Sequence, residues 1–462
     1  MSDSYQFDPT ILREYDIRGV VGDTLSEADA RAIGRAYGTM LRRAGGKSIA
    51  VGRDGRLSSP GLEAALVEGL VGTGLTVHRI GLGPTPMLYF AVYELDADGG
   101  IAITGSHNPP DYNGFKMVFL KRPFYGEQIQ ELGRIAAAGD FETGEGSAQD
   151  SPVFDAYVNR LLKDYEGAAL NVAWDPGNGS AGEVTKAMTA RLKGRHIVIN
   201  GEIDGSFPNH HPDPTEPKNL VQLQELVAKE KLDLGIAFDG DGDRIGIIDN
   251  AGRIIWGDQL LALLAREVLA EQPGAAIVAD VKSSQVLFDE IARLGGEPTM
   301  WKTGHSLVKE KMRETGSPLA GEMSGHIFYA HKYYGYDDGI YTGVRFLNVA
   351  GKAAAEGKSV ADLRDELPEM VNTPELRFPC PEDRKFKVAA EVAERLKGTD
   401  AKVIAIDGVR VVSDAGWWLL RSSNTQDVLV ARCEAKDEAS LEVLKGQLVE
   451  QLKLSGIEPP QF

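Results

Sequence analysis

The sequence lacks several features that would place a chain in a specialised class. Its 462 residues include only two cysteines, Cys380 and Cys433, which lie far apart and have no metal-ligand spacing. A disulfide framework is therefore excluded, and a reducing, cytoplasmic location is expected. No segment approaches the roughly 18 uninterrupted apolar residues of a membrane span, and the N-terminus has no signal-peptide pattern, so no membrane association is expected.

Basic charge is also scarce. The chain has 50 lysines and arginines against 68 acidic residues, which gives a formal net charge of -18. Nucleic acids and anionic membrane surfaces need a basic face, so neither is expected as a partner. The Gly-x-x-x-x-Gly-Lys-Ser/Thr loop and the dinucleotide fingerprint are absent too, which argues against nucleotide hydrolysis and hydride transfer. A phosphorylated ligand would therefore have to bind isolated lysine and arginine side chains that lie close together in loops.

The pattern of apolar segments predicts an α/β protein of several domains. Short apolar runs alternate with amphipathic helical stretches, which favours mostly parallel strand pairing. Ser26 is predicted to cap a helix that extends through Arg43, with Asp29 as its capping-box partner. Three strand–aspartate–helix units recur at roughly 100–120 residues, and a second strand in each ends in a polar loop, at 106–107, 239–244 and 302–305.

The C-terminal part differs from the rest of the chain. From about residue 371, four short apolar segments predict an antiparallel meander, with helices at about 386–397 and 437–454. This predicts a smaller α+β domain that presents one polar loop, at 421–426. The expected domains are residues 1–150, 151–253, 254–366 and 367–462.

A serine follows the apolar run that ends at Ile103. Residues 104–109 read Thr-Gly-Ser-His-Asn-Pro, and most serines in such loops only cap or form local hydrogen bonds. The neighbouring His107 and the later Lys116 favour a chemical role for Ser106, because an imidazole and an ammonium group assist group transfer at a serine oxygen. Asn113-Gly114 predicts a turn that would bring Lys116 back toward Ser106.

A dense carboxylate cluster follows a second apolar run. Residues 239–244 read Asp-Gly-Asp-Gly-Asp-Arg, and three carboxylates this close repel one another unless a cation neutralises them. Oxygen ligands favour Mg²⁺. An EF-hand is excluded because Arg244 and Asn250 replace its glycine and glutamate; an acidic turn without metal remains open. The Asn-His-His-Pro-Asp-Pro segment at 209–214 is interpreted as a rigid loop, with a metal site as the alternative.

Two further polar segments fit sugar and phosphate recognition. Residues 320–328 contain Glu322 and Ser324, an acceptor and a hydroxyl that alternate and suit vicinal sugar hydroxyls; an ordinary loop turn is the alternative. Residues 421–425 combine one guanidinium group with hydroxyl and amide donors, which suits a phosphate dianion. The alternative there is a plain polar hairpin.

Taken together, these motifs resemble the α-D-phosphohexomutase superfamily, and specifically its bacterial phosphomannomutase/phosphoglucomutase group. The resemblance covers essentially the whole chain, because Glu-Tyr-Asp-Ile-Arg-Gly at 14–19 joins the four segments above in the same order. It implies three related α/β domains with mixed sheets and a C-terminal α+β domain around a central cleft. It also implies an isomerase of carbohydrate metabolism that serves polysaccharide biosynthesis. Such an enzyme would interconvert hexose 1-phosphate and hexose 6-phosphate, of mannose and glucose. The reaction would pass through an enzyme phosphoserine and a hexose 1,6-bisphosphate.

The same resemblance implies the residues of the site. Mg²⁺ would be the cofactor, glucose 1,6-bisphosphate the activator, and sugar phosphates the partners, in a monomer or dimer. The expected catalytic residues are Ser106, Arg18, His107, Lys116 and His326; the expected metal ligands are Asp239, Asp241, Asp243 and phosphorylated Ser106; the expected substrate-binding residues are Tyr15, Arg244, Lys282, His305, Glu322, Ser324, Arg421, Ser423, Asn424 and Thr425.

Three rival functions remain open at this point. A metal-dependent phosphatase that uses Ser106 as nucleophile would release free phosphate. A sugar-phosphate binding protein without turnover would bind hexose phosphate but not label the serine. A phosphoglucosamine mutase is a third, against which Met323 argues mildly by family resemblance.

Overall fold

The computed structural model describes residues 4–397, 399, 401–423, 427–460 and 462. Its strands form four separate β-sheets, and each sheet is built from one continuous part of the chain. This is the predicted architecture of three α/β units followed by an α+β unit. Within the described residues, no helix is both long and apolar enough to cross a bilayer.

The first unit has a seven-stranded sheet in the order β1-β5-β4-β2-β3-β7, with β6 beside β5. Its first helix begins as predicted, because the Ser26 hydroxyl accepts from the Asp29 amide and the Asp29 carboxylate accepts from the Ser26 amide. The strands are β1 (Ile17–Val20), β2 (Ser48–Arg53), β3 (Thr76–Leu82), β4 (Gly99–Ile103), β5 (Tyr112–Phe119), β6 (Arg122–Pro123) and β7 (Ser147–Asp150), and the helices are α1 (Glu27–Arg43), α2 (Ser59–Val71), α3 (Thr85–Glu94) and α4 (Glu127–Ala138).

The second and third units each contain a five-stranded sheet, in the orders β12-β11-β10-β8-β9 and β14-β13-β15-β16-β17. The second unit comprises β8 (Leu170–Asp175), β9 (Gly194–Val198), β10 (Leu234–Phe238), β11 (Ile245–Asp249), β12 (Ile254–Ile255), α5 (Phe154–Leu162), α6 (Gly182–Thr189) and α7 (Val221–Glu230). The third comprises β13 (Ala276–Asp280), β14 (Glu297–Trp301), β15 (Leu319–Gly321), β16 (Ile327–Tyr329), β17 (Tyr336–Asp337), α8 (Gly257–Glu271), α9 (Gln285–Arg293), α10 (His305–Thr315), α11 (Gly339–Ala355) and α12 (Val360–Asp365).

The C-terminal unit is the predicted antiparallel meander flanked by two helices. Its sheet has the order β18-β23-β22-β21-β20, with β19 also beside β23. The elements are β18 (Val371–Asn372), β19 (Leu376–Pro379), β20 (Lys402–Ile404), β21 (Val409–Ser413), β22 (Gly416–Ser422), β23 (Val428–Ala435), α13 (Glu382–Leu396) and α14 (Glu438–Leu454).

The sheets of the first three units are mixed, so the expectation of mostly parallel pairing is wrong. In each unit two strands pair in parallel, β2 with β4, β8 with β10 and β13 with β15. The next strand then returns antiparallel, as β5, β11 or β16. A short loop joins each antiparallel pair, because only antiparallel neighbours can be connected without a long crossover.

The shared topology also corrects the internal repeat. The strands that correspond are β4, β10 and β15, so the loops that correspond are those at 104–111, 239–244 and 322–326. The segment at 302–305 follows β14, an edge strand, and is not the third member of the series. Sequence alone favoured it because Lys-Thr-Gly-His follows an apolar run as the other two loops do.

The hydrophobic core shows which units pack as one body. One cluster of buried side chains runs through the first three units and includes Leu88 of α3, Trp174 of β8 and Leu264 of α8. The C-terminal sheet has its own cluster, which includes Trp418 and Leu444. The three α/β units are therefore held together by a continuous apolar core, whereas the C-terminal unit has a core of its own.

Candidate active site

The loop after β4 holds Ser106 in an unusual backbone conformation. Its φ is 51°, in the left-handed region that residues other than glycine seldom adopt. The Ser106 amide donates to the Thr104 hydroxyl at 2.8 Å, and the Gly105 amide donates to the Asp54 carboxylate at 3.1 Å. Ser106 is only 2 % exposed. Backbone strain of this kind persists where the surroundings enforce it, typically at functional positions.

Arg56 enforces this conformation, and sequence analysis did not identify it. One guanidinium nitrogen donates to the carbonyls of Ser106 and Asn108, at 2.8 and 2.6 Å, and another donates to that of Tyr112 at 3.0 Å. Its Nε pairs with Asp54 at 3.2 Å. Burial lowers the pKa of Arg56 and Asp54 opposes that shift. The only available signal was position, since Arg56 follows a predicted strand at the expected sheet edge.

The loop also corrects the turn predicted at Asn113-Gly114. Residues 112–119 form one strand, β5, without a turn. The chain reverses earlier, where the Asn108 amide donates to Gly105 and the Tyr112 amide donates to Pro109. Gly114 is needed instead for the close approach of β1, because an added Cβ would lie 2.1 Å from the Ile17 carbonyl oxygen.

The loop after β10 buries the three predicted aspartates completely. Asp239, Asp241 and Asp243 are each 0 % exposed. Each offers one carboxylate oxygen, and these three oxygens lie within 4.8 Å of one another. Gly242, at φ 77°, permits the tight path of the loop. Burial, and then the other two carboxylates, raise the pKa of Asp239 well above its usual value. The cluster therefore needs a cation to hold three negative charges.

The serine and aspartate loops meet, although they come from different units. The Ser106 hydroxyl donates to Asp239 at 3.1 Å. Lys116, on β5, donates to Asp241 at 2.7 Å and to Asp243 as well. Burial would lower the pKa of Lys116, but the aspartates raise it, so the ammonium group stays charged. One lysine thus neutralises part of the cluster.

Two more predicted residues flank the serine. His107 Nδ1 lies 3.2 Å from the Ser106 hydroxyl. Burial lowers the pKa of His107 well below its usual value, and the charges of Arg244 and Arg18 lower it further, so this imidazole is neutral. Arg18 donates to the Gly105 carbonyl at 2.7 Å and also pairs with the Asp16 carboxylate. The serine therefore lies among cations and beside a neutral acceptor.

The loop after β15 brings the third unit to the same place. Glu322 and Ser324 both contact His326 Nδ1, each at 3.0 Å, so their side chains do lie on one side as predicted. His326 Nε2 lies 3.3 Å from Asp243. Burial would lower the pKa of His326, but Asp243 raises it to about 9. His326 is therefore charged at neutral pH.

A cavity of about 720 Å³ joins these groups to the C-terminal unit. On its walls Tyr15 donates to the Thr303 carbonyl at 3.0 Å, Lys282 pairs with Glu375 at 2.8 Å, and Arg421 pairs with Asp407 at 3.0 Å. Asn424 and Thr425 lie outside the described residues. The other predicted residues that line the cavity are Arg18, Ser106, His107, Lys116, Arg244, His305, Glu322, Ser324, His326 and Ser423.

The cavity contains further residues that no sequence motif identified. Arg13, Arg377 and Arg432 add three guanidinium groups to its walls. Arg432 donates to the Lys282 carbonyl at 2.6 Å and so joins the C-terminal unit to the third. Isolated arginines such as these carry no recognisable spacing in the sequence.

The histidine pair at 210–211 supports the rigid-loop interpretation. His210 Nε2 lies 2.9 Å from the Asp175 carboxylate, and its Nδ1 contacts the His211 carbonyl at 2.9 Å. Across the described part of the chain, neither histidine belongs to a group with metal-ligand geometry. The pair ties the loop to the end of β8.

Fold and site define the class of this protein as a four-domain α/β enzyme, in which a serine, a carboxylate cluster and several cations meet in one cavity. Four family models match in order: phosphoglucomutase/phosphomannomutase alpha/beta/alpha domains I, II and III, over residues 9–143, 155–252 and 256–371, and the C-terminal domain over 375–451. The chain belongs to the phosphoglucomutase/phosphomannomutase family.

Individual relatives agree with this assignment over nearly the full length. A phosphomannomutase/phosphoglucomutase of Pseudomonas aeruginosa is 44 % identical over 445 residues, 96 % of each chain. A phosphoglucomutase of Neisseria gonorrhoeae is 41 % identical over 442 residues, 95 % of each chain. The crystal structure of a phosphoglucomutase/phosphomannomutase family protein from Burkholderia thailandensis has a TM-score of 0.93 at 43 % identity and covers 99 % of this chain and 100 % of its own.

Proposed function

We propose that this protein interconverts hexose 1-phosphate and hexose 6-phosphate, of both glucose and mannose, with Ser106 as the phosphate carrier. The observation that carries the proposal is the contact between the Ser106 hydroxyl and Asp239, inside a cavity with many cationic side chains. The two relatives described above, a phosphomannomutase/phosphoglucomutase and a phosphoglucomutase, support the same reaction.

The proposed cycle has two phosphoryl transfers. In the first, the bond between phosphorus and Ser106 Oγ breaks, and a new bond forms to the free hydroxyl oxygen of hexose 1-phosphate. This hydroxyl loses a proton, and the freed Ser106 Oγ takes one up. The hexose 1,6-bisphosphate then turns within the cavity. In the second transfer Ser106 Oγ attacks the phosphorus at position 1 of the sugar, and its proton passes to neutral His107, whose Nδ1 lies 3.2 Å away. The bond from that phosphorus to the sugar oxygen breaks, and this oxygen takes up a proton and becomes the free hydroxyl. Hexose 6-phosphate leaves, and Ser106 is phosphorylated again.

The residues present fit Mg²⁺ as the cofactor. Three fully buried carboxylates offer oxygens within 4.8 Å of one another, and Asp241 Oδ1 has no hydrogen-bond donor among the described residues. Asp239, Asp241 and Asp243 would hold the ion, together with the phosphate on Ser106. When bound, Mg²⁺ supplies positive charge against the transferring phosphoryl group. Lys116 contacts the same carboxylates, so it would keep the cluster neutralised when Mg²⁺ is released.

Arg18, Lys116 and His326 supply the remaining charge. All three are cationic groups near the serine or the aspartates, where they stabilise the negative charge of the transferring group. His326 is also an acid, because its pKa of about 9 keeps it protonated at neutral pH. It can donate a proton toward the sugar side of the cavity.

The sugar and its second phosphate would bind at the remaining walls. Glu322 and Ser324 offer an acceptor and a hydroxyl to vicinal sugar hydroxyls, and Tyr15 and His305 lie beside them, with ring centroids 6.1 Å apart. The phosphate that does not react would contact cations from several units. These are Arg244, Lys282 and Arg421, together with the Ser423, Asn424 and Thr425 segment.

The need for the bisphosphate intermediate to turn within the cavity explains the proposed activator. If hexose 1,6-bisphosphate escapes before it turns, Ser106 is left without phosphate and the enzyme is inactive. Glucose 1,6-bisphosphate would rephosphorylate the serine and restore activity. Cys380 and Cys433 are both buried and neither is part of a disulfide, which supports a reducing compartment that we propose is the cytoplasm.

The decisive experiment measures phosphate on Ser106. Intact mass of the purified chain should show a fraction with one added phosphate, and Ser106→Ala should remove it and lower glucose 1-phosphate conversion by several orders of magnitude. Ser413→Ala, at an exposed serine of β21, is the matched control and should change neither quantity. Normal conversion by Ser106→Ala would refute the carrier role.

The same preparation separates the rival functions. A phosphatase would release free phosphate in step with substrate consumption, whereas the proposed mutase releases almost none. A binding protein would retain hexose phosphate but leave Ser106 unlabelled after incubation with labelled glucose 1,6-bisphosphate. Turnover of glucosamine phosphate faster than that of glucose phosphate would favour the third rival.

A further inference from the structure

One tryptophan of this chain has an exposed side chain, and it lies on the wall of the cavity. Trp256 is 37 % exposed and lines the cavity. Three of the other four tryptophans are at most 1 % exposed, and the fourth, Trp301, is half-buried with the Lys311 ammonium 4.2 Å from its ring centre. Large indole surfaces are usually buried because their contact with water is unfavourable. An open indole on a cavity wall therefore indicates a surface that a ligand covers.

Trp256 supplies the open apolar face of a wall that is mostly charged and polar. Besides histidines, Tyr15 is the only other aromatic residue among the described residues of the wall. Its hydroxyl donates to the Thr303 carbonyl at 3.0 Å, and its ring lies against Gly304, where an added Cβ would lie 2.6 Å from the ring. Within the described chain, no aromatic ring or cation stacks on the Trp256 indole. The face of this indole is therefore available to a ligand.

The backbone of Trp256 is held at the start of helix α8. Trp256 is the N-cap residue, with φ of -70° and ψ of 160°. Its amide donates to the Gln259 side chain at 3.1 Å, and its carbonyl accepts from the Leu260 amide at 2.8 Å. Hydrogen bonds on both sides of the residue fix the point from which the indole projects, so the ring is a rigid part of the wall.

The next two residues place this point between two loops of the site. Gly257 packs on the sugar-binding loop so closely that an added Cβ would lie 2.6 Å from the Glu322 carbonyl oxygen. Asp258 accepts from the Ser284 amide at 2.9 Å, in the loop that carries Lys282. Trp256 is therefore joined through its neighbours to the loop proposed to read the sugar hydroxyls and to a loop proposed to bind phosphate.

A hexose bisphosphate presents two kinds of surface to such a wall. Its phosphates and hydroxyls match the cations and hydrogen-bonding groups described above. The C–H groups of its ring form an apolar face, which charged side chains cannot satisfy but an aromatic ring can. Contact between this face and an indole removes apolar surface of both partners from water.

We propose that Trp256 stacks on the C–H face of the hexose ring and retains the bisphosphate intermediate in the cavity while it turns. This inference rests on the proposed function. During the turn both phosphates must leave one set of cations and reach another, so their hydrogen bonds are lost for a time. Apolar stacking has no donor and acceptor direction, and it therefore persists while the sugar changes its orientation. Trp256 holds the intermediate at the stage at which its polar contacts are weakest.

The first test measures whether the ligand covers the indole. Acrylamide quenching of tryptophan fluorescence is recorded on the full chain carrying Ser106→Ala, so that the ligand is not converted. The difference between this chain and the same chain with Trp256→Phe isolates the signal of Trp256. Saturating glucose 1,6-bisphosphate should protect most of that signal. The bisphosphate of 1,6-hexanediol carries both phosphates on an open chain without a sugar ring, and it should protect far less. Trp301→Phe is the matched control and should leave the protection unchanged.

The second test measures retention of the intermediate. Chain labelled with phosphate on Ser106 is mixed with unlabelled glucose 1-phosphate, and the label released as free glucose 1,6-bisphosphate is counted. Trp256→Ala should release more label than wild type and raise the concentration of added bisphosphate needed for half-maximal rate by about tenfold. Its kcat at saturating bisphosphate should change far less, because the cations and Ser106 remain. Trp256→Phe should restore part of the retention, and circular dichroism checks the fold of each variant.

Three results would overturn the proposal: a Trp256 signal quenched equally with and without saturating glucose 1,6-bisphosphate, equal protection by the hexanediol compound, or an unchanged bisphosphate requirement in Trp256→Ala. The hexanediol result would assign the protection to closure of the cavity around two phosphates. Failure of the proposed function is a separate outcome. Protection of the indole in a chain whose wild type converts no hexose phosphate would refute the mutase and leave the ring contact standing, whereas conversion with an unprotected indole would do the reverse.

Discussion

Replacing Lys116 by methionine tests how the carboxylate cluster is neutralised without metal. The lysine side chain is 5 % exposed, and it bonds to two aspartates that are 0 % exposed, one of them at 2.7 Å. Removing one partner of a buried ion pair typically costs about 3–5 kcal/mol, because the remaining charge is left uncompensated. For a chain of this size such a loss corresponds to a fall in Tm of roughly 3–5 °C.

Mg²⁺ should reverse most of this loss. In the wild type the lysine already neutralises part of the charge of the carboxylates that the ion would bind, whereas in Lys116→Met the ion meets the full charge of the cluster. A ligand at about 100 times its Kd contributes about 2.7 kcal/mol of stability. Mg²⁺ should therefore raise the Tm of the variant more than that of the wild type, while hexose phosphate conversion remains strongly reduced.

Thermal unfolding in chelator and in saturating Mg²⁺ measures both effects. Lys121→Met is the matched control, because Lys121 pairs with Asp96 on the surface, where the two side chains are 40 % and 89 % exposed. Its Tm should equal that of the wild type under both conditions. Equal Tm values for Lys116→Met and wild type in chelator would refute the argument that this lysine neutralises the cluster.

Three further changes test other parts of the site. Asp241→Asn should reduce activity and its Mg²⁺ dependence together, and full activity without added metal would exclude a catalytic cation. Arg56→Lys should lower stability by about 3 kcal/mol and reduce phosphorylation of Ser106, since the single nitrogen of lysine cannot replace the separate guanidinium nitrogens that contact the loop carbonyls and Asp54; unfolding and intact mass report the two effects. His326, with a pKa raised from 6.5 to about 9 in the folded chain, contributes stability that is complete below pH 6.5 and lost as pH rises through about 9. In metal-free protein the stability difference between wild type and His326→Gln should therefore shrink over that range, by roughly 3 kcal/mol, and a pH-independent difference would contradict the charged state.

The elements that sequence predicted well depend on local signals. The capping box at Ser26 and Asp29 involves residues three positions apart, so its pattern is readable without tertiary context. The antiparallel meander after residue 371 was predicted for the same reason, because adjacent strands with short connections pair with each other.

The errors arise where distant strands decide the structure. Asn113-Gly114 has the composition of a hairpin turn, but Gly114 lies inside a strand because β1 packs against it from almost 100 residues away. Likewise, 302–305 resembles the other polar loops in composition, and only the pairing of β13 with β15 shows that 322–326 is their equivalent. Composition gives no information about which strand becomes the neighbour.

The candidate site also contains parts that local sequence motifs predict and parts that depend on distant contacts. The serine and aspartate loops were predictable as pieces because each has a dense local motif that follows a strand, at the end where α/β sheets bind ligands. Their meeting was implied only by the family resemblance, because the two loops belong to different sheets. Arg56 was not predictable, since its importance lies in contacts to carbonyls at 106, 108 and 112. A side chain that acts only through backbone atoms elsewhere leaves no motif in the sequence. The roles of the individual site residues stay predictions.

The charge of the cavity opposes the charge of the whole chain. The protein has a net charge of -18, yet the cavity walls contain more arginine and lysine than aspartate and glutamate side chains. Several of these cations already have carboxylate partners, such as Lys282 with Glu375 at 2.8 Å and Arg421 with Asp407 at 3.0 Å. When a phosphate enters, each of these cations therefore exchanges its carboxylate partner for the phosphate. When the cavity empties, the carboxylate can pair with the cation again. Lys282 belongs to the third unit, and Glu375 precedes β19 of the C-terminal unit. The exchange would therefore also release a contact between the third unit, which shares the apolar core of the first two, and the C-terminal unit, which has its own core.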